Sequence, residues 1–237
     1  MRHLILTALL SLLVTTNSAF AGAEPDVIYW DSAEGKAIRA RMAPDADYWQ
    51  LIPSFSTQVT QSYCSVASAV TVLNAMPIQK PVDPAYAPYA YFTQQNFFSP
   101  EVASVISAET VLKIGMTREE MAEVMSRQGV EARSIAGDTL DEKSLRELLQ
   151  KTLREDGQFV LANYLRGKLN QVGGGHWSAL GAYDEQSDSV LILDVAKYKY
   201  PPVWVGIGTL REALATLDTT SNKSRGLVIV STPRGGK

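Results

Sequence analysis

The sequence predicts an α+β fold, and three observations carry that prediction. Apolar residues recur at helical spacing through the first half, as in Val66, Val70 and Leu73. The second half changes to short apolar runs of strand type, such as Phe159–Tyr164 and Ser189–Asp194. A polar turn, Asp184 to Asp188, joins two of these runs, so they are expected to pair antiparallel. The predicted arrangement is a helical lobe followed by a mainly antiparallel sheet lobe.

Taken in order, residues 1–21 read as a secretory signal peptide. Arg2 and His3 form a short basic region, Leu4 to Thr15 is largely apolar, and Ala19-Phe20-Ala21 fits a small-x-small cleavage site. The mature chain, 22–237, is then expected as a single domain outside the cytoplasm, most simply in a bacterial periplasm. The apolar run is short for a membrane span, and no later stretch is long enough for one. Residues 22–50 are polar and mixed, with Trp30 and Trp49 as expected anchors.

A helix follows from about Cys64 to Ala75, ended by Met76-Pro77. Residues 77–100 combine five prolines with several aromatic residues and predict an ordered, irregular loop packed by rings. Thr117 and Glu120 form a capping box at the start of a helix that ends near Gly129. Asp141 is placed to cap a further helix carrying Leu145, Leu148, Leu149 and Leu153, stopped at Gly157. Strands are expected at Phe159–Tyr164, His176–Tyr183, Ser189–Asp194 and Gly226–Ser231, with a helix from about Leu210 to Leu217 opened by Thr209 and Glu212.

Composition excludes some functions. A net charge of −3 without a basic cluster argues against nucleic acid as a partner. Hydrophobic residues make up 46% of the chain, enough for a substantial core. There is one cysteine, Cys64, and two histidines, of which His3 falls in the signal peptide. A secreted cysteine without a partner in its own chain is either half of an intermolecular disulfide or a reactive thiol.

Cys64 sits where a polar loop meets a helix. Unpaired N–H groups and the positive end of the helix dipole favour thiolate there. Taken alone, a buried structural cysteine is the simpler reading. Gln58, six residues upstream, is placed to donate its amide to an oxyanion. If the hairpin turns about Glu185, His176 stands directly opposite Asp194, and the carboxylate can accept the His176 Nδ1–H. Gly173-Gly174-Gly175 would let a substrate backbone approach closely. Each of these residues alone has an ordinary structural explanation; together they favour nucleophilic cysteine chemistry. Gly175 and Asn163 complete the candidate substrate-binding positions.

Three segments carry a resemblance to a known family: Gln58 through Ala75 (QVTQSYCSVASAVTVLNA), Gly174 through Pro202 (GGHWSALGAYDEQSDSVLILDVAKYKYPP), and Lys223-Ser224-Arg225-Gly226. Together they resemble phytochelatin synthase, especially the short bacterial members that have the catalytic domain alone. The resemblance implies a papain-like cysteine peptidase fold. It implies a catalytic triad of Cys64, His176 and Asp194 with Gln58 in the oxyanion hole. It also implies that Asp218 and Arg225 hold the γ-glutamyl end of glutathione. The plant members' Cys-rich C-terminal region has no counterpart before Lys237, and the implied balance favours hydrolysis over long-chain polymer synthesis.

The implied reaction is cleavage of the Cys–Gly bond of glutathione through a Cys64 thioester, releasing glycine and γ-glutamylcysteine, with limited transfer to a second glutathione. No intrinsic cofactor is expected. Cadmium or zinc would enter as a glutathione thiolate complex, linking the protein to heavy-metal detoxification. Glutathione is the expected partner, with no nucleic acid, no membrane after signal cleavage, and a homodimer as the candidate assembly. Two alternatives stand beside this reading: a papain-like peptidase acting on other peptides, and a non-enzymatic periplasmic thiol or metal-binding protein. One Cys and one His make a poor metal cage, since structural sites usually use four ligands.

Overall fold

The computed structural model describes residues 27–233. The signal peptide and cleavage site expected from the sequence lie outside these residues. The chain opens with a two-residue strand β1 (Ile28–Tyr29) and helix α1 (Ala33–Ala40), whose N-cap Ser32 accepts from Gly35 N. The one-turn helix α2 (Tyr48–Leu51) leads to α3 (Cys64–Ala75). Every residue of α3 from Cys64 to Leu73 is buried, Ser65, Ser68 and Thr71 included, so this helix is enclosed on all sides and is held by its surroundings.

The expected irregular loop is present up to Ser99, which caps the short helix α4 (Pro100–Ala103). Phe92 and Phe97 from this loop are buried, whereas Tyr86 and Tyr89 face outward. Asp83 organises its turn by accepting from Ala85 N, Thr93 Oγ1 and Asn96 Nδ2. Helix α5 (Ala108–Ile114) follows, and then α6 (Arg118–Arg127), which opens on the complete Thr117–Glu120 capping box.

After strand β2 (Glu131–Ala136) comes α7 (Glu142–Thr152), capped by Asp141 as expected. Strands β3 (Gln158–Leu165), β4 (Gly175–Asp184), β5 (Ser189–Leu193) and β6 (Val203–Gly206) follow. Helix α8 (Ile207–Leu214) lies between β6 and the small pair β7 (Leu217–Asp218) and β8 (Lys223–Ser224), and β9 (Gly226–Ser231) completes the described chain. The seven-stranded sheet has the order β1-β6-β5-β4-β3-β9-β2, with every pair antiparallel.

The α+β class holds, but the helices are not gathered into one lobe before the sheet. Phe159, Leu161, Trp177 and Val228 face a core shared with α3 and α6, while Val160, Ala162, Leu180 and Ile229 face a second core under α7 and α8. The central strands bury both faces, so each face needs its own helical cover.

Three other expectations change. Helix α8 starts at Ile207 under Gly206, not at a Thr209 cap, because Ile207, Leu210, Ala213 and Leu214 form its buried stripe. Trp49 is 49% exposed and anchors nothing in the core, whereas Trp30 packs against it. The β4–β5 hairpin pairs Tyr183 with Val190 and Ala179 with Leu193, with a bulge at Gly181. The extra residue shifts the register, so one step beyond Leu193 lies opposite Ser178, two positions from His176. Continued without the bulge, the Tyr183–Val190 register would set Asp194 against Ala179, on the other face from His176; the bulge is what brings the two side chains to one face. Among the described residues, no helix is long and apolar enough to cross a membrane.

Candidate active site

Cys64 is the first residue of α3. No side chain caps this helix, so its first N–H groups face the thiol without an acceptor one turn back. Burial pushes the Cys64 thiol up. The charge and hydrogen bond of His176, with backbone N–H groups of Trp177 and Ser65, outweigh burial and leave the thiol below its ordinary value. Cys64 is a free cysteine, 8% exposed.

His176 enters from the start of β4. Its Nε2 lies 2.9 Å from Asp194 Oδ1, in place of the expected Nδ1 contact. That arrangement leaves Nδ1 as the ring nitrogen for Cys64. The diagonal placement of the two residues lets the ring reach Asp194 through its far nitrogen. Burial pushes the His176 imidazole down, but the Cys64 charge and the Asp194 hydrogen bond raise it above its ordinary value overall. The edge of the Tyr164 ring packs on the imidazole at 5.7 Å between centroids and fixes its plane.

Asp194 is fully buried just past β5. Burial alone would raise its pKa, but hydrogen bonds and charge from His176 and Arg166 bring it down to about 2. Its Oδ1 also accepts from Ala196 N at 2.8 Å. Arg166 was not anticipated from the sequence. It follows β3, is 3% exposed, and sets Nη1 2.6 Å from Asp194 Oδ2. Gln171 Oε1 accepts from the same Nη1 at 2.8 Å, and the Tyr200 ring lies 5.0 Å from the guanidinium. An arginine directly after an apolar strand run was the available signal, but its partner lies 28 residues away, where spacing rules do not reach.

Gln58 approaches from the loop before α3, held by its backbone N–H on Val195 O at 2.9 Å. Its Nε2 donates to Thr60 O at 2.7 Å and to the Tyr198 hydroxyl at 3.1 Å. Gln58 and Tyr198 both line the cleft beside His176. Tyr198 is thus a second residue that the sequence reading missed.

The remaining candidates form a separate group beside His176. Arg225 Nη1 donates to Asn163 Oδ1 at 3.1 Å, and Arg225 Nη2 lies 3.5 Å from Asp218 Oδ1. Burial lowers the Arg225 pKa, and the Asp218 charge opposes the shift. At Gly175 a Cβ would overlap the Arg225 guanidinium, so the glycine makes room for that side chain. Gly174 is the open position, with no atom within 4 Å of where its Cβ would lie. Asn163 acts by holding Arg225.

The arrangement combines a thiol poised as thiolate, an imidazole poised as its partner, and a cation–carboxylate pair beside the imidazole. Such a set suits acyl transfer from a substrate with a zwitterionic end.

Comparison with known proteins gives a consistent picture. The phytochelatin synthase family model matches residues 22–227. The chain is 32% identical over 212 residues to glutathione gamma-glutamylcysteinyltransferase 1 of Arabidopsis thaliana, covering 88% of this chain and 42% of that protein. It is 30% identical over 210 residues to the protein of the same name from Triticum aestivum, covering 87% and 41%. With the glutathione gamma-glutamylcysteinyltransferase of Schizosaccharomyces pombe, identity is 24% over 204 residues, covering 85% and 48%. The chain thus spans less than half the length of these relatives.

Proposed function

The chain belongs to the phytochelatin synthase family, and on that premise we propose that it is a glutathione γ-glutamylcysteinyltransferase working as a papain-like cysteine acyltransferase. The observation that carries the reading is the placement of Cys64, His176 and Asp194 in one contiguous network beside the Arg225–Asp218 pair.

Arg225 offers its fork to the α-carboxylate of the γ-glutamyl group, and Asp218 receives the α-ammonium. The 3.5 Å separation of these two side chains is loose enough for a zwitterion to take over both charges. The Cys64 thiolate attacks the Cys–Gly carbonyl. The backbone N–H of Cys64 and Gln58 Nε2 meet the oxyanion, a good donor being worth roughly 3–4 kcal/mol. His176 delivers its Nδ1 proton to the departing glycine amine, and Asp194 keeps the imidazolium paired. Water or the amine of a second glutathione then resolves the thioester. Cadmium or zinc enters as part of the substrate, bound by glutathione thiolate, a soft ligand for both.

The test is mass spectrometry of the protein incubated with glutathione. The expected result is an added γ-glutamylcysteinyl mass on Cys64, with glycine and γ-glutamylcysteine in solution. Cys64→Ser and His176→Ala should each lose turnover with a normal circular dichroism spectrum. Glycine release by either folded variant would sink the assignment.

A further inference from the structure

Asp218 stands on the two-stranded hairpin β7–β8, and the residue directly opposite it is Lys223. Directly opposed residues project to one face, with Cβ atoms roughly 4.5–5.5 Å apart. A lysine in that position can set its ammonium on the Asp218 carboxylate, where a substrate ammonium would have to go. Asp218 is already well supplied. Arg225 Nη2 lies 3.5 Å from its Oδ1, Thr220 N donates to Oδ1 at 3.2 Å, and Ser221 Oγ donates to Oδ2 at 3.1 Å. A second fixed cation would leave little charge for a substrate to meet.

Lys223 turns elsewhere. Its Nζ lies 3.7 Å from Glu119 Oε2, and Glu119 is its carboxylate partner among the described residues. Glu119 is in the first turn of α6, and its Oε1 lies 2.5 Å from Arg118 Nη2. Arg118 is fixed in turn. Its Nη1 donates to Ser134 Oγ of β2 at 2.7 Å, and its Nε donates to Ser224 O of β8 at 3.4 Å. The Arg118 side chain is mostly buried, so it is a firm post for the Glu119 carboxylate. Glu119 Oε2 has no hydrogen bond among the described residues, which leaves its charge to the Lys223 ammonium. Glu119 is not needed to start the helix, because the capping box uses Glu120.

We propose that Glu119 is a positioning residue for the donor site: it holds the Lys223 ammonium off Asp218 and leaves that carboxylate open to the α-ammonium of the substrate. The inference rests on glutathione being the donor and on Asp218 receiving its α-ammonium. Glu119 touches neither the substrate nor the reacting atoms. It acts through Lys223, on a competition between two ammonium groups for one carboxylate. That competition is uneven, because Lys223 is tethered across a single strand pair while the substrate arrives from solution. A counter-charge on α6 takes the tethered competitor away. The effect falls on capture of the donor, before Cys64 attacks, so it belongs in KM and not in kcat.

The experiment measures glycine release from glutathione by the full chain and three variants, with circular dichroism to check the fold. Glu119→Gln keeps the size of the side chain and an oxygen for Arg118 but removes the charge that draws Lys223. It should raise KM about two- to fivefold, the scale of one directly opposed charge pair, with kcat unchanged. Glu119→Gln combined with Lys223→Met should return KM to the wild-type value, because the competitor is gone. Lys223→Met alone should leave KM where it is. A merely structural contact between α6 and the hairpin would be lost in Glu119→Gln and in the double variant alike, and KM would stay raised in both. That result, or an unchanged KM in Glu119→Gln, overturns the positioning role while the transferase reading stands. A raised KM in Lys223→Met alone also overturns it, by making Lys223 a ligand of the substrate. If wild type releases no glycine, the transferase reading falls and the positioning role falls with it.

Discussion

Arg166 and Asp194 form a two-pronged ion pair away from solvent. Nη2 donates to Oδ1 at 2.9 Å, and Nη1 lies 2.6 Å from Oδ2. Asp194 Oδ1 is also the atom that faces His176 Nε2. The buried network therefore alternates in charge from Cys64 through His176 and Asp194 to Arg166. A carboxylate at 0% exposure is costly without a partner, and His176 alone is protonated for only part of the cycle. Arg166 keeps Asp194 ionised throughout, and an ionised Asp194 keeps the imidazolium favourable.

The first prediction tests that link. Arg166→Met removes the permanent cation, so Asp194 ionises less readily, the imidazolium is less stable, and the thiolate loses its partner. Alkylation of Cys64 by iodoacetamide should then begin at higher pH, by about one unit if roughly 1.4 kcal/mol of charge stabilisation is lost. Breaking a buried pair also costs about 3–5 kcal/mol of stability, so Arg166→Lys provides a milder variant with a smaller shift in the same direction. A folded Arg166→Met protein with the wild-type alkylation profile would show that Asp194 needs no such support.

The second prediction concerns the donor pocket. Arg225→Ala should weaken glutathione capture, raising KM by about tenfold or more, because a charged two-pronged contact is lost. Cys64 should still react with a small alkylating agent, since Arg225 is not hydrogen-bonded to the thiol or imidazole. Unchanged catalytic efficiency with glutathione would remove Arg225 from the donor site.

The third prediction is one of stability. Asp47 is 1% exposed, and its Oδ2 has no hydrogen-bond partner among the described residues. Burial, with the charge of Asp156, raises its pKa to about 8. A raised carboxyl binds its proton more tightly in the folded state. Between about pH 4 and pH 8 the unfolded chain has released that proton and the folded chain has kept it. Stability should therefore fall with rising pH, by at most about 1.4 kcal/mol per unit from this group. Urea unfolding at pH 5, 6 and 7 should show this slope in wild type and a flatter one in Asp47→Asn. Parallel slopes in the two proteins would mean that Asp47 is ionised in the folded state.

The fold class and much of the site were legible because their signals are local. Thr117 with Glu120, and Asp141 before α7, are caps written within four residues. Cys64 stood out as the lone cysteine at a loop–helix junction. His176 and Asp194 do share a face, but only because the Gly181 bulge corrects a hairpin that turns later than Glu185; the direct pairing and the choice of ring nitrogen differ from the expectation. Arg166 and Tyr198 were missed because their meaning depends on contacts across the fold. Strand β2 was missed because an edge strand that is half exposed lacks a clean apolar alternation. The two helical layers were missed because buried strands and their covers read alike in a linear sequence.

The last prediction concerns product choice. The γ-glutamylcysteinyl thioester partitions between water, which is always present, and a second glutathione, which must be bound and oriented. Orientation is where an enzyme gains most for a bimolecular step. Beside His176 the cleft is open at Gly174, with no atom within 4 Å of where a Cβ would lie. The donor side, by contrast, has a buried guanidinium and a carboxylate within 3.5 Å of each other. If Arg225 and Asp218 hold the donor and the space over Gly174 is left open, hydrolysis should dominate at modest glutathione, with short phytochelatins appearing as glutathione rises. A time course of glycine against peptide products, with and without cadmium, measures the partition. Phytochelatin matching the released glycine from the start, at low glutathione and without metal, would mean that the acceptor is held as firmly as the donor.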